Sequence, residues 1–210
     1  VYRDQHAVPH VYAENEEDLY RAVGYLMAQD RLWQMDMLRR LTGGRLAEIF
    51  GKELLKTDQL MRSLEMREKS RRMLDNCAPG ILKCVKAFAD GVNQYIGRNR
   101  FRLPPEFTLL GYEPEKWTVI DSGCMAGYMG WGLTSPWNWE TTLFKIKNKV
   151  DAERFNQLIP HMPHHRTPVF PNFSKGLEEK ENELLETSFF HGIKKIDELG
   201  LTVFNASNNW

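Results

Sequence analysis

From Tyr20 to Phe50 the chain reads YRAVGYLMAQDRLWQMDMLRRLTGGRLAEIF, and the spacing of its apolar residues leaves little choice of fold. Leu19, Val23, Leu26, Met27, Trp33, Met37 and Leu41 recur at three- and four-residue steps, the period of a helix with one buried face. Asn15 supplies a cap, and Glu16, Glu17 and Asp18 suit the positive end of the helix dipole. Gly43 and Gly44 stop the helix, and a short one follows from Arg45 to Phe50, ending at Gly51. The same count places Asp30 inside the apolar stripe. A buried carboxylate needs a partner, because an unpaired charge there costs several kcal/mol or neutralises itself. Arg31, Arg39, Arg40 and Arg45 are the basic residues nearby. Asp30 is therefore read as half of a packing ion pair, with a catalytic carboxylate as the sharper alternative.

The rest of the chain divides by the same signals. Val1 to Ala13 reads as two short strands with a turn near Gln5 and His6, and Pro9 fits an edge. His6 and His10 have no partner at ligand spacing and are given surface or capping roles. A charged helix is expected from Asp58 to Leu74, with Leu60, Met61, Leu64 and Met73 inward. Its basic run from Arg67 to Arg72 is broken by acids and carries no aromatic residue, which describes a solvated face rather than a nucleic-acid contact. Pro79 opens the next helix, whose buried face is Ile81, Val85, Phe88, Val92 and Tyr95. Pro104 and Pro105 close the loop that follows Arg98.

Between Asp121 and Leu133, Gly123, Gly127, Gly130 and Gly132 alternate with Met125, Tyr128, Met129 and Trp131. Small residues at helical steps allow either tight helix packing or close approach of a ligand to an apolar wall. A helix from Asn138 through Val150 comes next. The loop from Pro160 to Ser174 contains His161, His164 and His165, but its prolines and its lack of acids and cysteines favour a surface segment over a metal site. Lys175 to Leu201 is polar, with a helical patch around Leu184, Leu185 and Phe189, and Leu201 to Phe204 reads as a strand.

Composition excludes several functions. Lysine plus arginine and aspartate plus glutamate number 28 each, so no net charge draws the chain to nucleic acid or to an acidic membrane. No apolar run approaches the roughly 20 residues of a bilayer span. The three cysteines, Cys77, Cys84 and Cys124, make no disulfide framework and lack a CxxC spacing. Cys77 and Cys84 would stand about two turns apart on a helix, beyond bridging distance; buried free thiols are expected. Val1 to Asp4 opens like a strand already within a fold, without the features of a signal peptide.

Taken together, DQHAVPHVYA (Asp4 to Ala13), Gly24-Tyr25, AQDRLWQMDMLRR (Ala28 to Arg40), GRLAEIFG (Gly44 to Gly51), ADGVN (Ala89 to Asn93), LPPEF (Leu103 to Phe107), Trp117 and SNNW (Ser207 to Trp210) resemble, in order, the penicillin acylase family of N-terminal-nucleophile hydrolases. The resemblance implies an α+β protein: a helix-rich α-subunit portion of an αββα sandwich, with few strands of its own. It divides the chain into an α-subunit region (1–174), the C-terminus of the α-subunit or a short spacer (175–206) and the start of a β-subunit (207–210). It implies that Ser207 is the nucleophile, exposed when the chain cuts itself at the Ala206–Ser207 junction, and that the rest of the β-subunit is the partner and supplies the oxyanion donors. Met129 matches the methionine of the family's acyl pocket, with Trp131 and Leu133 beside it. Leu133 stands where phenylacetyl-specific members carry an aromatic residue, which sets this chain apart from them. Glu140 matches, with a one-residue insertion, the α-subunit ligand of a structural calcium that β-subunit residues complete. The implied activity is hydrolysis of a linear amide, such as a β-lactam side chain or an N-acyl homoserine lactone, in a periplasmic or secreted protein whose export signal lies upstream of Val1. A catalytically silent helical interaction module that keeps the family's packing is the competing expectation.

Overall fold

The computed structural model describes residues 1–133, 136–158, 191–196 and 198–201. The expected loop at 160–174, the helical patch at 184–189, residues 202–204 of the final strand, and the 206–207 junction lie outside them. Within the described residues the chain is built from helices and one small hairpin. Strands β1 (Tyr2–Arg3) and β2 (Pro9–His10) pair antiparallel, Tyr2 opposite His10 and Arg3 opposite Pro9. The Asp4 carboxylate closes the turn by accepting from the backbone N–H groups of His6 and Val8, and it also meets His10 Nε2 at 3.1 Å. His10 thus has the local structural role expected of it.

Helix α1 runs from Glu16 to Gly43. Asn15 caps it by accepting from the Asp18 N–H at 2.9 Å, and Gly44 ends it at φ 61°, donating to the Arg40 and Leu41 carbonyls. Both ends fall where the sequence places them, because capping satisfies backbone groups that no neighbouring element can reach. The middle does not follow the sequence. Arg31 leaves helical geometry (φ −143°, ψ 23°), but the expected stripe already fails ahead of it: Leu19 and Met27 are exposed, and the buried positions are Gly24, Ala28, Leu32 and Met35, one step round the helix. Asp30 faces solvent, 41% exposed, and pairs with Arg3 of the hairpin at 2.7 Å. The expected buried ion pair exists, but it is made by Asp36, one turn and a half further on.

Short helix α2 (Ala47–Phe50) and a 3-10 turn (Lys52–Leu54) lead into α3 (Leu55–Ser63) and α4 (Met66–Asp75). The single helix expected over 58–74 is broken at Glu65, which adopts φ 52°. The break changes the inward face: Thr57, Asp58, Met61, Met66, Ser70 and Leu74 are buried, whereas Met73 is exposed. Helix α5 (Pro79–Arg98) starts at its proline and packs along α1. Its buried positions include Ala87, Ala89, Gly91, Val92 and Tyr95; Ile81, at the outer end, is exposed. Gly24 of α1 and Gly91 of α5 mark the crossing. A Cβ at Gly24 would overlap the Phe88 carbonyl oxygen, and one at Gly91 that of Arg21. Helices α6 (Pro105–Leu110), α7 (Val119–Leu133), α8 (Pro136–Lys147) and α9 (Ala152–Leu158) follow, and residues 191–196 form a further helical segment.

Two apolar clusters result. Ala28, Leu32, Met35, Ala89, Val92, Tyr95, Phe107 and Trp117 make the first, where α1 meets α5. Met37, Leu41, Leu46, Leu54, Met61, Met66, Tyr128 and Ile196 make the second, where the end of α1 meets α3, α4 and α7. Cys124 is buried, as expected, but Cys77 and Cys84 are only partly so.

Candidate functional site

Helix α7 carries the residues to which the sequence assigns the acyl pocket, and several polar clamps hold its first turn. Asn93 of α5 grips the backbone of Trp117 from both sides, donating to its carbonyl at 2.9 Å and accepting from its N–H at 2.7 Å. The Trp117 indole N–H donates to Ser122 Oγ. Asp121 accepts from the Thr118 N–H and hydroxyl, while Thr118 Oγ1 accepts from the Asp121 N–H, a reciprocal cap. Asp121 is buried, and Arg67 of α4 reaches its other oxygen at 3.0 Å. Gly123 lies against Ser70, 3.0 Å from where its own Cβ would stand. For Gly123, then, the small residue serves tight packing of α7 on α4.

Beyond that turn the helix separates the three candidate pocket residues. Met129 and Leu133, four residues apart, share a face and are 41% and 65% exposed. Trp131 lies two positions away, partly buried against the second cluster, its ring 5.8 Å from that of Tyr128. None of the three lines the open cleft of about 550 Å³ between the hairpin, α1 and α5, which is bounded by Arg3, Asp18, Arg21, Tyr25, Gln94 and Arg98 among others. Glu140 belongs to α8, but its side chain, like all of Ala206 and Ser207, is outside the described residues. Among the described residues no three of His, Cys, Asp and Glu are grouped to hold a metal, and no helix is long and apolar enough to cross a membrane.

Behind α7 lies a polar network that the periodicity argument missed. Asp36 is 1% exposed and accepts from Arg39, from Arg40 Nε at 2.9 Å and from the Tyr112 hydroxyl at 2.8 Å. Arg40 lies over the Tyr112 ring and Arg39 over that of Trp117. Arg39 also donates to the carbonyls of Glu115 and Lys116. Burial, and then the Asp36 hydrogen bond, push the Tyr112 phenol up. Farther out, Arg45 bridges Glu48 and Glu115, and its hydrogen bonds hold the Glu115 carboxyl down to about 2. A signal for this network was present: an acid followed by arginines at the third and fourth positions is the helical ion-pair spacing. Burial pushes the Cys124 thiol up, so it is a packed apolar residue and not an activated nucleophile.

Tyr128, read from the sequence as part of a packed or apolar wall, makes a polar contact that the sequence does not show. It is 1% exposed, and its hydroxyl donates to the Leu201 carbonyl at 2.7 Å. Ile196, fully buried, seats the segment that precedes Leu201 in the second cluster.

The penicillin amidase family model matches residues 1–210. The chain is 29% identical over 212 residues to the acyl-homoserine lactone acylase QuiP of Pseudomonas syringae pv. syringae, covering 100% of this chain and 26% of that protein. It is 38% identical over 137 residues to the penicillin acylase 2 proenzyme of Pseudomonas sp. strain SE83, covering 65% of this chain and 18% of that one. The chain thus spans about a quarter, or less, of the length of these curated relatives. Among solved structures, the thermostable penicillin G acylase of Alcaligenes faecalis superposes with a TM-score of 0.64 at 26% identity, over 81% of this chain and 95% of that one. With the match running from the hairpin through Trp210, the chain belongs to the penicillin amidase family.

Proposed function

We propose that the chain is the α-subunit region, with the first residues of the β-subunit, of an amidohydrolase that removes the acyl group from a linear amide. The observation that carries this reading is the family match through Ser207 to Trp210, where the nucleophile would stand. Maturation begins when the Ser207 hydroxyl attacks the Ala206 carbonyl carbon. The C–N bond breaks, the acyl group passes to oxygen as an ester, and the nitrogen leaves as the α-amine of Ser207. Water then hydrolyses the ester, giving a carboxylate at Ala206 and restoring the hydroxyl. The new amine, with an ordinary pKa of about 7.7–8.0, takes the proton of that hydroxyl through a water as Ser207 attacks the substrate amide. An acyl-enzyme forms, the amine product leaves, and a second water releases the acid. Donors of the oxyanion hole come from the β-subunit, whose strands complete an αββα sandwich.

Met129 and Leu133 form the α-subunit wall of the acyl pocket, and Trp131 supports it from the core side. Relatives named for penicillin and for acyl-homoserine lactones bracket the substrate: a β-lactam side chain or an N-acyl homoserine lactone. Glu140, a hard oxygen donor, would contribute one ligand to a structural calcium of the roughly 6–8-oxygen kind, the others coming from the β-subunit. The protein works in the periplasm or outside the cell. The intact mass of the full-length gene product, beside its Ser207→Ala variant, tests the reading. A wild type split before Ser207 and a variant that stays whole are expected. Two uncut proteins would overturn it in favour of a silent interaction module.

A further inference from the structure

Residues 191–201 are fastened to the core at several points. Ile196 is fully buried in the second cluster. Gly192 lies so close to α3 that a Cβ there would stand 2.8 Å from Leu60 Cδ2. The helical segment ends at Gly200 (φ 65°), across which the Leu201 N–H donates to the Ile196 carbonyl at 3.1 Å, the bond of a glycine C-cap. At that point the Tyr128 hydroxyl takes hold of the Leu201 carbonyl. The acceptor is backbone, so the bond fixes the path of the chain whatever side chain occupies position 201. A phenylalanine would fill the same apolar site and remove this bond.

From this we propose that Tyr128 is a positioning residue for the cut before Ser207, an inference that rests on the self-cleaving function above. Leu201 lies six residues before Ser207, a tether of at most about 22 Å. Attack of a hydroxyl on the peptide bond that precedes it is intramolecular, and its rate depends on how narrowly the reacting groups are held. By fixing the Leu201 carbonyl to α7, Tyr128 sets the point from which the chain leaves the core toward Ser207. No part of Tyr128 takes part in the bond changes.

The test follows cleavage of the full-length gene product during timed cell-free synthesis, reading by intact mass the fragment that ends at Ala206. Wild type, Tyr128→Phe and Gly200→Ala are compared at a temperature where circular dichroism shows each to be folded. Thermal midpoints are taken in the uncut Ser207→Ala background. Both variants are expected to cut about three- to tenfold more slowly, the factor one net hydrogen bond is worth, even in the fully folded fraction. A merely structural role would lower the midpoint and leave that rate unchanged. Wild-type cleavage rate in either folded variant overturns the proposal while the Ser207 reading stands. Should Tyr128→Phe fail to fold, Gly200→Ala decides by the same criterion, since it perturbs the Leu201 anchor without touching Tyr128. A wild type that never cuts before Ser207 removes the nucleophile itself, and the positioning role with it.

Discussion

Two aspartates six residues apart on one helix show how environment sets the worth of an ion pair. Asp30 and Arg3 are both partly solvated, so Asp30→Ala is expected to cost less than about 1 kcal/mol. Asp36 is the shared acceptor of two nearly buried guanidinium groups and a phenol. Asp36→Ala takes the buried carboxylate from all three, leaving Arg39 with the Glu115 and Lys116 carbonyls and Arg40 with the half-exposed Glu48, and is expected to cost about 3 kcal/mol; urea denaturation of the two variants checks the contrast. Glu115 gives a pH signature. Its carboxyl falls from an ordinary 4.5 to about 2 in the folded state, so its contribution is fully present above pH 4.5 and fades as pH falls toward 2. The wild type is expected to lose its thermal advantage over Glu115→Gln across that window. Glu115 is half exposed, which keeps the advantage small, below about 1 kcal/mol.

At the scale of elements, the crossing of α1 and α5 depends on two glycines that a propensity argument would discard. An Ala for Gly exchange in a helix normally gains up to about 1 kcal/mol. At Gly91 the added methyl would enter the space of the Arg21 carbonyl oxygen, and carbonyls of a packed helix cannot rotate away. Gly91→Ala is expected to destabilise by about 1–3 kcal/mol, and a gain in urea midpoint would show that the helices can separate without cost. The ends of elements were legible in the sequence: Asn15, Gly44, Pro79 and the Pro9 hairpin each act on backbone groups within a few residues. The kink at Arg31 and the break at Glu65 were not. Nothing in their own neighbourhood demands them. At Arg31 the helix geometry breaks while its buried side stays in one cluster, Ala28 before it and Leu32 and Met35 after it, and at Glu65 the break lets α3 and α4 each turn its own face inward.

For the whole molecule, the exposed face of Met129 and Leu133 is half of a proposed pocket, and the donors for an oxyanion are proposed to lie in the β-subunit. Purified 1–210 is therefore expected to release no amine from penicillins or N-acyl homoserine lactones, by chromatography of the products; turnover would place the whole site within this chain. The family was readable because its signature is distributed along the chain in a fixed order, from Asp4 to Trp210, and needs no knowledge of contacts. Helix content, caps, charge balance and the absence of a bilayer-length apolar run followed equally from local chemistry. Which carboxylate is buried, which face of α7 meets solvent, and where the chain is held before Ser207 did not. Asp36 is inside because Tyr112, far along the chain, comes to meet it, and Leu201 is held because Tyr128 does. Hydrogen bonds between residues more than 70 positions apart leave no period in the sequence, so only the tertiary structure decides them.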